Sequence, residues 1–255
     1  MYPIADHPLV LFAVAFVLLW AAAFAGALAL RGRGELEDAA RADYDIILAA
    51  TLTLLGLVVG FTFSMATTRY DLRKNLEEAE ANAIGTEYLR AELLPAAAAA
   101  RVKSLLRDYT AARVEYYTTR DSGRLPEIDA RTARIQNELW AAVRDPARES
   151  PTPLMALAVA GMNDVLNSQG YTQAAWWNRI PTAAWWMMAL IAACCNAMVG
   201  FRAHGRKGHG ALLLILPLVL SIAFMLIADI DSPRGGVIRV VPRNLNALAD
   251  SLQAP

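Results

Sequence analysis

Four long apolar runs constrain this chain more than any other feature: residues 9–30, 45–65, 181–201 and 211–228. Each is long enough to cross a bilayer, which takes about 20 residues at about 1.5 Å of rise apiece. The chain is therefore expected to be an all-α integral membrane protein with four transmembrane helices. The first run is longer than the apolar part of a secretory signal, and MYPIADHP before it carries no positive charge, so it is expected to remain in the mature protein. Pro217 interrupts the fourth run, but neighbouring helices or Ser221 can satisfy the carbonyl it frees, so one kinked helix is expected there.

Composition points the same way: 56% of the 255 residues are hydrophobic and the mean hydropathy is +0.32, too apolar for an ordinary soluble chain. Twenty-four basic residues balance 24 acidic ones, so no global field favours nucleic acid. The three histidines are scattered, and the only cysteines, Cys194 and Cys195, are neighbours inside an apolar run. They read as small packing residues, and no metal or other cofactor is expected.

Lysine and arginine near the span ends set orientation. Arg31, Arg33 and Arg41 follow span one, and Arg202, Arg206 and Lys207 follow span three. Both loops share one side by parity, which this count makes cytoplasmic. Both termini and residues 67–180 then lie on the outer side of a bacterial inner membrane. Parity also gives a result independent of orientation: Arg69, Arg73, Arg179, Asp229 and Asp231 meet at one interface, while Asp45 lies at the other. An intramembrane aspartyl protease needs two carboxylates at one depth, so Asp45 and Asp229 cannot form that pair.

Between spans two and three the chain is polar and helical in pattern, with Val102, Leu105, Leu106, Tyr109 and Tyr116 at helical spacing and later runs through Ile128, Leu139, Leu154 and Val165. Breaks fall at Leu94-Pro95, at DSGRLP (121–126) and at RESPTP (148–153), predicting a bundle of three or four amphipathic helices. From Ile46 no proline occurs before Pro95, so span two is expected to continue as one helix into that bundle. No phosphate loop, nucleophile elbow or HExxH is present, and the chain is not expected to be an enzyme. The expected divisions are 1–66 (spans one and two), 67–180 (helical segment), 181–229 (spans three and four) and 230–255, a tail lying on the membrane surface through Leu245, Leu248 and Leu252.

Span two carries two stripes at helical spacing. Gly56, Gly60 and Ser64 would let a neighbouring helix approach closely in lipid. Leu57, Phe61 and Met65 form the adjacent stripe, either an apolar constriction of a kind that gates by dewetting or a face turned to lipid or to the bundle core. Threonines 51, 53, 62, 67 and 68 either line a polar path or bond back to the helix carbonyls.

Two stretches carry a resemblance. GFTFSMATTRYDLRKNLEEAEANAIGTEYLRAELLP (60–95) and ADIDSPRGGVIRV (228–240) resemble the bacterial bestrophin-like domain family, and the layout of spans fits it over most of the chain. Bestrophins are pentameric anion channels with a pore along the second span and an extramembrane segment in the cytoplasm. The resemblance implies a homo-oligomer of five subunits passing small inorganic ions, with Leu57, Phe61 and Met65 as neck residues. Asp229 and Asp231 occupy a place comparable to the family's calcium-holding acidic cluster, but two acids fall short of the six to eight oxygens Ca²⁺ takes. They read instead as an interfacial charge latch with Arg69, Arg73 and Arg179. The alternative to a channel is a non-conducting membrane sensor or scaffold whose helical segment binds a partner.

Overall fold

The computed structural model describes residues 6–29, 38–203 and 212–253. Leu30, Arg31, Arg33, Arg206, Lys207 and Ala211, which enter the span and orientation readings above, lie outside the described residues. The described residues form eight α-helices and no strand: α1 (Pro8–Ala29), α2 (Asp38–Arg90), α3 (Ala96–Thr118), α4 (Leu125–Glu149), α5 (Pro153–Trp177), α6 (Thr182–Ala203), α7 (Leu212–Asp231) and α8 (Arg243–Gln253). Four helices are long and apolar enough to cross a membrane. Span four stays a single helix through Pro217.

Two compact units divide the chain differently from the four sequence blocks: Met1–Arg69 with Arg179–Arg239, and Tyr70–Asn178 with Val240–Pro255. All four spans fall in the first, and the tail is split between the two. The physical reason is that residues 232–239 bond to the ends of the spans, whereas α8 buries Leu245 and Leu252 against the extramembrane helices. The stripe expected on the membrane surface therefore faces the bundle core.

In the membrane unit α1 packs on α6 and α7, and α6 on α7. Glycines set the α1–α6 distance reciprocally. A Cβ at Gly26 would overlap the Ala197 carbonyl oxygen, and one at Gly200 would overlap that of Ala23. Small residues thus bring two backbones together where lipid supplies no hydrophobic drive between helices.

In the bundle unit the breaks fall around Pro95, the 121–126 turn and Pro151 to Pro153, whereas Pro146 sits inside α4. Pro95 precedes the alanine run that opens α3, and a short 3₁₀ turn, Ser122–Arg124, is held by Asp121, whose carboxylate accepts the Gly123 N–H at 2.8 Å. Thr152 caps α5 by accepting the Met155 N–H at 3.2 Å, with Pro153 at the first helical position. The core is Ile84, Val102, Leu106, Tyr109, Leu139, Val143, Met162, Val165 and Leu245, all fully buried. Each large aliphatic side chain there contributes about 1.5–3 kcal/mol relative to exposure.

Candidate functional site

One helix carries the pore candidates. In the membrane half of α2 only Leu55, Thr62 and Ala66 are buried, all on one side at 3.6 residues per turn. Leu57, Gly60 and Ser64 lie on the opposite side, with Phe61 and Met65 on one flank and Gly56 on the other. Leu57 is 53% exposed, Phe61 65% and Met65 42%, so the described residues leave much of each side chain open. A Cβ at Gly56 or Gly60 would meet no atom within 4 Å. The two sequence stripes are thus parts of one uncovered face, and the glycine packing inside the protomer lies between α1 and α6 instead. The hydroxyls of threonines 51, 53, 62, 67 and 68 each donate to the carbonyl four residues back, at 2.7–3.1 Å. Their donor capacity is spent on the helix itself.

Both ends of this span are held. Before it, Arg202 of α6 grips Asp45 through two bonds of 2.7 and 3.0 Å, and the Tyr44 hydroxyl donates to the Met198 carbonyl at 2.7 Å. At its other end Asp231 is the hub. Arg69 Nη1 stands 3.8 Å from Oδ1, Arg179 Nε 3.5 Å from Oδ2, and the Ile180 N–H donates to both oxygens at 3.2 Å. Asp231 is 1% exposed, so it would be costly there without those donors.

Asp229 does something else. Its two oxygens accept the N–H groups of Val237 and Ile238 at 2.8 and 2.7 Å, closing the turn that follows α7. A Cβ on Gly236 would crowd the Asp229 carbonyl oxygen and carboxylate, which is why glycine stands there. The structure therefore brings Arg69, Arg179 and Asp231 together and assigns Asp229 to the tail. Arg73, in the bundle unit, is buried.

Sequence reasoning missed Asp6. It accepts from Arg179 at 2.8 Å and from the Ser232 hydroxyl at 2.8 Å, tying the chain before α1 to the end of α7. The available signal was parity, because the segment before span one shares the interface of Arg179 and Asp231.

The second omission is a set of buried charges in the bundle. Glu80 accepts from Arg113, from the Tyr117 hydroxyl at 3.2 Å and from Thr172 at 3.1 Å, with Arg113 stacked over the Tyr116 ring at 4.4 Å. Burial, then the Glu80 charge, pushes the Tyr117 phenol well above its usual range. Glu77 accepts the Leu245 N–H at 2.9 Å and the Asn244 amide at 2.7 Å, capping α8 from another helix. Arg107 donates to the Leu252 carbonyl at 2.8 Å, so both ends of α8 are matched to its dipole. Among the described residues no three His, Cys, Asp or Glu side chains converge as a metal site.

The bestrophin-like domain model matches residues 10–245. The chain belongs to that family. A bacterial bestrophin homologue from Klebsiella pneumoniae is similar to this bestrophin-like protein at 16% identity, with a TM-score of 0.62, covering 95% of this chain and 94% of the other. Two variants of that homologue match with TM-scores of 0.67 and 0.64, each at 16% identity and over 94% of this chain. At that identity the likeness is one of fold. No curated protein matches. The bestrophin-like fold here is an all-α, multi-pass membrane architecture, and its long α2 is a continuous 53-residue helix.

Proposed function

We propose that this bestrophin-like protein is a homo-oligomeric ion channel of the bacterial cytoplasmic membrane, conducting anions through a pore lined by α2. The observation that carries the reading is the uncovered face of that helix. Leu57, Gly60 and Ser64 point away from the buried side of α2 among the described residues, and a ring of copies, five by family resemblance, would put such a face on its axis. Leu57 and Phe61 then form apolar constrictions of a size set by subunit number, gating by dewetting. Gly56 and Gly60 let the α2 helices of neighbouring copies approach closely.

Planar-bilayer recording of the purified oligomer tests this. Conductance is expected, together with block when Ser64→Cys is treated with a charged thiol reagent and no block for Leu55→Cys, whose side chain faces inward. Silence across voltage, pH and calcium with the oligomer intact refutes it.

The charge count supports both termini and the bundle on the outer side. The chain has three lysines, Lys74, Lys103 and Lys207. An impermeant amine reagent applied to spheroplasts is expected to label the first two and spare the third, and the reverse pattern inverts the topology.

A further inference from the structure

One buried carboxylate in the bundle has no use in the reading above. Glu87, near the end of α2, is 0% exposed. Neither of its carboxylate oxygens has a hydrogen-bond partner among the described residues. Glu77 and Glu80 on the same stripe of the helix are both satisfied, so the omission is specific to this position.

The surroundings explain how the group is kept there. Gly161 of α5 lies against it, and a Cβ at Gly161 would overlap Glu87 Oε2 and crowd Arg90 Nη1. The charged groups that face Glu87 are Arg90 from its own helix and Asp164 from α5. Arg90 points its charge at Asp164, 3.9 Å away, and makes no hydrogen bond to Glu87. An ionised carboxylate buried with no protein donor is costly, while a neutral acid is far less so.

We propose that Glu87 is a proton-binding site: it carries a proton at neutral pH, and losing it draws Arg90 from Asp164 and loosens α2 from α5. Burial, opposed by Arg90 and reinforced by Asp164, pushes its carboxyl up to about 8. The folded chain therefore binds more protons than the unfolded chain between the ordinary glutamate range and that value. Stability falls as pH rises through this window, is unpenalised below it, and carries the full cost above it. The proton thus acts on the extramembrane end of the same helix that bears the uncovered membrane face.

The test uses the full chain in detergent, and its readouts are independent of conduction. Thermal unfolding is followed from about pH 5 to about pH 9 for the wild type and for Glu87→Gln, which mimics the neutral acid. The wild-type melting temperature is expected to drop across the window relative to the variant. Infrared spectra at neutral pH should show a protonated-acid carbonyl band that Glu87→Gln removes. Asp164→Asn, which takes away a charge that holds the proton on, should move the midpoint to lower pH. Parallel melting curves, or a neutral-pH spectrum whose acid band survives in Glu87→Gln, overturn the proposal. Should Glu87→Gln fail to fold, an unmoved midpoint in Asp164→Asn overturns it equally.

Discussion

Asp229 is the residue whose role the geometry defines most sharply, and Asp229→Ala tests it. The carboxylate accepts two short backbone bonds, from Val237 at 2.8 Å and Ile238 at 2.7 Å. Bonds to a charged acceptor contribute about 1.5–3 kcal/mol each. Val237 is largely exposed, so water can replace part of what is lost, and the lower figure applies. Removal of both bonds should then cost about 3 kcal/mol, or about 6–12 °C in melting temperature for a chain of this size. Asp229→Asn keeps one acceptor oxygen and turns an NH₂ toward a backbone N–H, so it should cost about half as much. Gly236→Ala should act in the same direction, because its Cβ meets the same carboxylate. The assay is thermal unfolding of the detergent-solubilised protein read by size-exclusion chromatography, with single-channel reversal potentials of the proposed channel measured beside it. An unmoved melting curve with altered ion preference would refute the structural role and move Asp229 into the ion path.

Further outcomes rest on other contacts. Arg113→Met strips the buried Glu80 of its cation and should destabilise the bundle by about 3–5 kcal/mol in denaturant titration, with Glu80→Gln in the same chain restoring part of that. Gly26→Val forces α1 off the Ala197 carbonyl and should cost about 1–3 kcal/mol, seen as a lower melting temperature of the detergent-solubilised protein. Glu77→Ala removes the cap of α8, and amide exchange over residues 243–253 should accelerate while Leu106 and Leu139 in the core keep their protection.

Spans, breaks and the continuity of α2 were legible because each has a local cause. Apolar length marks a span, Pro95 and Pro153 mark helix starts, and the absence of proline from Ile46 to Pro95 leaves nothing to stop α2. Parity added long-range information at no cost, placing Arg69, Arg179 and Asp231 on one face, where the structure pairs them. The buried stripe in the second half of α2 was not legible. Arg73, Glu77, Glu80, Ile84 and Glu87 repeat at helical spacing, but four of the five are charged, and a search for apolar periodicity reads them as a solvated face. Their partners, Arg113 and the start of α8, are far away in sequence, so no local pattern announces them. The tail misled for a related reason: an amphipathic helix next to a membrane protein fits a lipid surface and a protein groove equally well, and only Glu77 and Arg107 at its two ends decide between them.

Those same buried charges bear on how a channel of this kind would open. Leu57 lies on the face of α2 opposite to Leu55, Thr62 and Ala66, with Phe61 on its flank, and Glu77 and Glu80 are buried further along the same helix. Rotating α2 to swing Leu57 off an axis would turn Glu80 away from Arg113 and Glu77 away from the start of α8. Breaking one buried pair alone costs about 3–5 kcal/mol, more than most ligands supply as a difference between two states. The rotation is also resisted at both ends of the span, by Asp45 with Arg202 and by Arg69 with Asp231. The phase of the membrane part of α2 is therefore held at both of its ends. In the proposed channel, opening would then fall to the constriction itself, by rotamer change or wetting around Leu57 and Phe61, or to a small spreading of whole protomers that leaves each α2 in its own grip.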